Sequence, residues 1–405
     1  MQDRVVVTGI GVISSIGIGK DAFWDSLIAG KSGITPVSSF DTQAYPTHNA
    51  GEVKDFNPLD FIDSKKASTL GRASALTISA ARLSLEDSKI PLGNLNKERF
   101  GIVLGTTMGE SQVLEKLNAA YIKKGIQAVD AFWVPKAPCN VLACNLAIEF
   151  GLAGPNFVIP TACAAGNYAI GYAYDLIRQD RADLMLAGGV DAFSRIAFTG
   201  FNRLFAVAPD KCQPFDKDRK GMMVGEGGAV MVIERLQNAL KRKAEIYAEI
   251  LGYGLSCDAH HMTAPFAAGI KMVLQKALKE SKVLASQVDY ISAHGTGTPA
   301  NDKEECLAIH DVFGQYSKKI PISSIKSMLG HTMGAASAIA AAACCLTLRD
   351  DIIPPTINFQ TPDPECDIDC VPNICRRQRV DIALNNALAF GGNNACLVLK
   401  KFIPA

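Results

Sequence analysis

Along the chain, short apolar runs suited to buried strands alternate with longer stretches whose apolar residues recur at helical spacing. The strand-like runs fall at 4–10, 100–106, 156–159, 183–187, 230–234, 246–253, 288–293, 382–389 and 395–400. The helical stretches fall at 21–29, 67–88, 110–123, 138–150, 164–179, 266–282, 303–313 and 332–348. This alternation predicts an α/β protein with layered helices and largely parallel sheets. Two segments echo one another: "ERFGIVLGTTMGE" (98–110) and "VDYISAHGTGTPA" (288–300) both run from a strand into a Gly/Thr-rich turn. The opening strand has a counterpart near 246–253. Two stacked copies of one unit account for this, with residues 1–250 as one half and 251–405 as the other.

Composition narrows the choice of partner. Of the 405 residues, 48% are apolar and 20% charged, with a net charge of +1. That supports a sizeable core and provides no field for nucleic acid or an acidic membrane. The opening "MQDRVVVTGIGVISSIG" reads as a strand and turn rather than a signal peptide. The uncharged stretch 332–348 is rich in Ala, Ser and Gly, which suits a closely packed core helix better than a membrane span. A cytoplasmic protein is expected, with its twelve cysteines as free thiols. Cys366, Cys370 and Cys375 cluster, but without a CxxC pair or paired histidines, so no metal site is expected. "GIGVIS" (9–14) lacks the third glycine of a dinucleotide fingerprint, and "GEGGA" (225–229) leads into a strand, which argues against a nucleotide enzyme.

The candidate chemistry begins at "IPTACAAGN" (159–167). Cys163 lies between a short strand and a long helix, where unpaired backbone N–H groups and the helix dipole favour thiolate and lower the thiol pKa. Taken alone, it reads better as a small core cysteine. Two of the six histidines stand in glycine-rich turns, His294 in "SAHGTGTP" and His331 in "SSIKSMLGH", with Lys326 five residues before His331. His48, His260, His261 and His310 read as surface or structural.

Together these motifs resemble the elongating β-ketoacyl-acyl-carrier-protein synthases of the thiolase superfamily. The resemblance runs through "TACAAGN", "PFDKDRKGMMVGEGGAV", "AHGTGTPANDKEE", "SSIKSMLGH" and "AFGGNNACLVL" and covers essentially the whole chain. It implies a duplicated thiolase fold in five layers, α/β/α/β/α, and a dimer. It also implies no bound cofactor, the substrates arriving on the phosphopantetheine arm of acyl carrier protein. Cys163 would take the acyl chain as a thioester, and His294 and His331 would stabilise the enolate formed as malonyl-carrier loses carbon dioxide. The backbone N–H groups of Cys163 and Phe390 would form the oxyanion hole. Phe390, Gly391 and Gly392 would gate an acyl pocket lined by Met108, Phe201 and Met222. Lys65, Lys66, Arg72 and Arg203 would dock the acidic carrier.

The sequence departs from the family pattern in places. Ala340 stands where a glutamate usually pairs with the lysine, which leaves Asp302 and Glu305 as possible partners of Lys326. Ala389 replaces the first glycine of the gating loop, which would restrict the Phe390 flip if that position needs positive φ. Met222 replaces a bulkier residue, and the segment between Phe201 and Pro214 is short. These features lean toward the catalytic subunit of a type II polyketide or polyene system paired with a chain-length factor. The alternative is a homodimeric fatty-acid elongating enzyme. A thiol protease would not explain the second histidine. A degradative thiolase would need a second catalytic cysteine, and Cys396 lies in a strand-like run.

Overall fold

The structure, a computed structural model, describes residues 4–404. Ten strands carry the architecture: β1 (Val5–Ser14), β2 (Phe100–Gly105), β3 (Asn156–Ile159), β4 (Leu184–Asp191), β5 (Gly227–Arg235), β6 (Ala248–Cys257), β7 (Tyr290–Ser292), β8 (Ile322–Ser323), β9 (Ile382–Ala387) and β10 (Asn393–Lys400). The first five lie in the order β3-β2-β4-β5-β1, and the second five in the matching order β8-β7-β9-β10-β6. Each set pairs its first strand with its last, so the chain is a duplication of one α/β unit. β6 begins at Ala248, and a cut at 250/251 would run through this strand. The halves join where Val5, Val6 and Val7 of β1 pair antiparallel with Ile250, Glu249 and Ala248 of β6.

The sheets are mixed rather than largely parallel. In each half two strand pairs are parallel (β2 with β3 and β4; β7 with β8 and β9) and two are antiparallel (β4–β5 and β5–β1; β9–β10 and β10–β6). Only five residues link β9 to β10, too few for the crossover a parallel neighbour needs.

Eight helices matter for the site: α1 (Arg72–Ser88), α2 (Ser111–Lys124), α3 (Val141–Phe150), α4 (Ala165–Arg178), α5 (Arg195–Arg203), α6 (Ala267–Ser281), α7 (Pro299–Phe313) and α8 (Ala336–Asp350). α1 and α3 cover the outer face of the first sheet, and α6 with α7 covers the outer face of the second. α4 and α8 pack against each other between the sheets, which completes five layers. With both faces covered, the strands are largely apolar, and every residue of β1 is buried. Gly11 in β1 lets α1 come close, since a Cβ there would lie 1.9 Å from the Ala80 carbonyl oxygen. The stretch Met333–Asp350 is long and apolar enough to cross a membrane by composition alone, but it forms this middle layer and is almost wholly buried.

The helix expected at 67–88 is broken: a short turn of helix, Ser64–Ala67, precedes α1, and Gly71 caps α1. α7 starts four residues earlier than expected because Pro299 suits a first helical position, where no N–H partner is needed. α5 was not expected. Its sequence signal is Ser194, whose side chain accepts the Ala197 N–H as an N-cap.

Candidate active site

Cys163 lies in a single tight turn, residues 162–164, that enters α4 directly. Ala162 just before it has φ +48°, a left-handed conformation that costs a non-glycine residue about 1–2 kcal/mol. The thiol is buried. Burial pushes its pKa up to about 11, while the Lys326 cation and the backbone N–H groups of Cys163 and Phe390 pull the other way and the Asp191 charge adds to the rise. The thiol pKa is therefore not lowered, as the helix-entry position suggested. Desolvation outweighs the dipole, because α4's first turn opens into the middle of the molecule rather than into water.

The other groups arrive from the second half. His294 follows β7 and His331 precedes α8; their rings meet nearly edge-on, centroids 5.5 Å apart at 83°. Both are buried, and burial, aided by the Lys326 charge, holds both well below the usual histidine pKa, so both are neutral at physiological pH. For His331 the tautomer follows from the backbone. The Met333 N–H donates to His331 Nδ1 at 3.1 Å, which leaves the proton on Nε2, facing the site as a donor.

Neither Asp302 nor Glu305 forms an ion pair with Lys326. Its ammonium donates instead to the His294 carbonyl oxygen at 2.6 Å, and burial lowers its pKa against the opposing charge of Glu305. The two carboxylates are occupied elsewhere. Glu305 accepts the N–H groups of His294 and Gly295, both at 2.8 Å, and the Asn386 side-chain amide at 2.7 Å. Asp302 accepts Phe215 N–H at 2.9 Å and Gly297 N–H at 3.2 Å. Both therefore brace the turn that carries His294. Asp191, at the end of β4, is a further buried carboxylate that the sequence reading missed. The signal was available: a single acid closing an otherwise apolar run, "LMLAGGVD".

A cavity of about 360 Å³ opens from Cys163, His294 and His331, with Phe201, Met222 and Phe390 in its wall. The Phe390 ring, 40% exposed, lies 5.8 Å from that of Phe201. The turn 390–392 is tied to the neighbouring loop: the Gly391 N–H donates to the Met262 carbonyl and the Asp258 N–H to that of Gly392. Ala389 has φ −139°, an extended conformation open to any residue, and the positive angles fall on Gly391 (83°) and Gly392 (77°). The substitution therefore introduces no strain here. Met108 lies outside the cavity wall, its N–H bound to Asp191 at 2.8 Å. His261, read as surface or structural, stands exposed at the cavity mouth, its Nδ1 accepting the Thr263 and Ala264 N–H groups.

The four basic candidates divide into two kinds. Lys65 and Arg203 are exposed. Arg72 is locked to Glu226 by two bonds of 2.7 and 2.8 Å, and Lys66 is paired with Glu149. Arg72 is therefore a bracing residue: its guanidinium also donates to the Val53 carbonyl, so its Nε and Nη2 are both spent inside the fold.

The chain matches the family described as the β-ketoacyl synthase N-terminal domain over residues 2–239, and the corresponding C-terminal domain over residues 247–360. It is 39% identical to a 3-oxoacyl-acyl-carrier-protein synthase 2 of Synechocystis sp., over 99% of both chains. It is 40% identical to the enzyme of the same name from Coxiella burnetii, over 98% of both. Among solved structures it matches one titled "The ishigamide ketosynthase/chain length factor" with a TM-score of 0.97 and 43% identity over 100% of both chains. It also matches a type II polyketide ketosynthase solved with its acyl-carrier protein, with a TM-score of 0.92 and 31% identity over 100% of both. With both halves matched and relatives aligned from end to end, the chain belongs to the β-ketoacyl synthase family, the condensing acyltransferases that extend carrier-bound acyl chains.

Proposed function

We propose that this enzyme is the catalytic ketosynthase of a type II polyketide or polyene system, working on carrier-bound chains beside a chain-length-factor partner. The observation that carries the chemistry is a buried thiol at a helix entry facing two neutral imidazoles, one of them fixed as an Nε2 donor by a backbone N–H. In the first half-reaction the Cys163 sulfur attacks the acyl thioester of the carrier. The phosphopantetheine thiol leaves with the proton, and the chain remains on Cys163. In the second, malonyl-carrier loses carbon dioxide, and the electron pair of the broken bond becomes an enolate. Hydrogen bonds from His294 and His331 stabilise its oxygen. The enolate carbon attacks the acyl carbonyl on Cys163, whose oxygen rests against the N–H groups of Cys163 and Phe390. Thiolate departs and β-ketoacyl-carrier is released.

The N-terminal half thus supplies the nucleophile and the C-terminal half both histidines. Phe390, Gly391 and Gly392 gate the pocket, and Phe201 and Met222 shape it near the thiol. Lys65 and Arg203 are the cations best presented to an acidic carrier. Lys326 is read as a positioning cation that holds the His294 carbonyl.

The polyketide reading is favoured by end-to-end likeness to a chain of the ishigamide ketosynthase/chain length factor structure and by Met222 in the cavity wall. The second reading, a homodimeric fatty-acid elongating enzyme, is favoured by the names of the 39–40% identical relatives. The test is intact mass, of the enzyme after incubation with acyl-loaded carrier beside Cys163→Ala, and of the carrier after malonyl-carrier is added, with and without a candidate chain-length factor. An acyl increment on the wild type alone supports the nucleophile. Elongation only when the factor is present supports the polyketide reading, and elongation by the purified chain alone overturns it in favour of the second.

A further inference from the structure

A second turn copies the one that carries Cys163. Thr161 has φ −98° and ψ 42°, and Ala162 φ +48°, before the short turn that enters α4. Thr332 has φ −87° and ψ 31°, and Met333 φ +53°, before the short turn that enters α8. Each turn follows its half's third strand or the loop after it, and α4 and α8 pack together. Gly334 is therefore the counterpart of Cys163. In the first copy the N–H of the turn serves the thiol. In the second the Gly334 N–H donates to Asp191 Oδ2 at 2.6 Å.

Asp191 is fully buried and takes three more bonds. Its Oδ1 accepts the Thr106 hydroxyl at 2.7 Å and the Met108 N–H at 2.8 Å, and its Oδ2 accepts the Thr107 N–H at 2.7 Å. Four donors from two loops thus converge on one carboxylate. The next N–H back along the second turn, that of Met333, fixes the His331 tautomer. One residue apart, these two N–H groups hold the imidazole and the carboxylate in a fixed relation.

We propose that Asp191 is a positioning residue for the decarboxylation half-reaction: its carboxylate fills the anion-binding place of the second copy and so fixes the turn that orients His331. This rests on the condensing-enzyme reading above. Asp191 touches no reacting atom. An amide at this position would turn an NH₂ toward two of the four donors, and the Gly334 and Thr107 N–H groups, or the Thr106 and Met108 donors, would lose their acceptor. The turn would then relax and carry His331 with it. Acyl transfer to Cys163 should be spared or quickened, because the Asp191 charge opposes thiolate formation.

Burial raises the Asp191 carboxyl to about 6, so its protonation falls within an accessible pH range. The groups that face it are Thr106, Thr107 and Met108 from the loop after β2, Gly334 from the turn before α8, and the titratable Cys163 thiol from the turn before α4. Glu305 and Asp302, whose carboxyls burial also raises, brace His294 and add to the pH dependence. The informative quantity is therefore the change in the acid limb on substitution, not its presence.

The experiment separates the half-reactions in the full-length enzyme, together with its partner if one is required. Acyl transfer onto Cys163 is read by intact mass, and carbon dioxide release from malonyl-carrier is read between pH 5 and 8, for wild type, Asp191→Asn and Thr106→Val. Asp191→Asn should lose at least about 10-fold in decarboxylation, since an ångström of misplacement costs up to about 10²-fold. It should keep acyl transfer and lose the acid limb near pH 6. Thr106→Val, which removes one of the four donors, should show a smaller loss in the same half-reaction. A folded Asp191→Asn that decarboxylates like wild type, or that loses both half-reactions equally, overturns the proposal. If Asp191→Asn does not fold, wild-type decarboxylation by Thr106→Val overturns it. A wild type that neither accepts acyl groups nor decarboxylates malonyl-carrier fails earlier, and takes the functional reading with it.

Discussion

The loop that leaves β2 and the loop that leaves β7 hold equivalent places in the two halves, yet they have been put to different use. Both are turns of small residues whose backbone N–H groups point inward to buried carboxylates. The first, Thr106 to Met108, is held by Asp191 from the adjoining strand. The second, His294 to Gly297, is held by Glu305 and Asp302 from the following helix, α7. The first loop carries no titratable side chain; the second carries His294. A row of buried N–H groups must find an acceptor in either case, so the carboxylate is a requirement of the fold. The side chain mounted on the loop is free to differ.

The largest expected break in this comparison is at Glu305. Glu305→Ala leaves the His294 and Gly295 N–H groups without their acceptor, each at a cost of about 1–3 kcal/mol. Thermal unfolding should show that loss, and decarboxylation should fall with it. An unchanged melting temperature would mean that water replaces the carboxylate and that Glu305 does not brace the turn. An intermediate effect is expected at Gly334→Ala, where the new Cβ would lie 2.5 Å from the Thr106 carbonyl carbon and push the first loop off its place. Overpacking of this kind costs roughly 1–3 kcal/mol. Since an alanine at 163 brings no such collision, calorimetry on Gly334→Ala and Cys163→Ala side by side would test how far the two turns have diverged. The smallest effect is expected at Ala389→Gly. The residue is already extended, so the change should lower stability by no more than about 1 kcal/mol and leave condensation rates unaltered. A marked gain in rate would show that the gate does pass through a conformation that alanine resists.

Much of this was legible in the sequence because the signals were local. The strand at 156–159 was bounded to the residue, and α4, α6 and α8 fell within a few positions of the expected ranges. The Gly/Thr-rich echo after two strands pointed to the duplication, which the matching strand orders display. Cys163, His294 and His331 were visible because their turns are unusual. What the sequence could not give was partnership across distance. Lys326 bonds to a carbonyl 32 residues away rather than to a carboxylate, Arg72 reaches Glu226, and the Met333 N–H that sets the His331 tautomer has no side-chain signature. The thiol pKa went the other way for the same reason: a helix entry is visible in a sequence, whereas how deeply it is buried is not.

Pairing the first strand of each half with its last has a consequence for synthesis. β1 cannot be covered until β5 has emerged, more than two hundred residues later, and β6 must wait for β10 at the far end of the chain. The Phe390 N–H that faces the thiol sits in the link between the last two strands. On the proposed mechanism, a nascent chain carries the Cys163 thiol for more than two hundred residues before the Phe390 N–H that faces it is made.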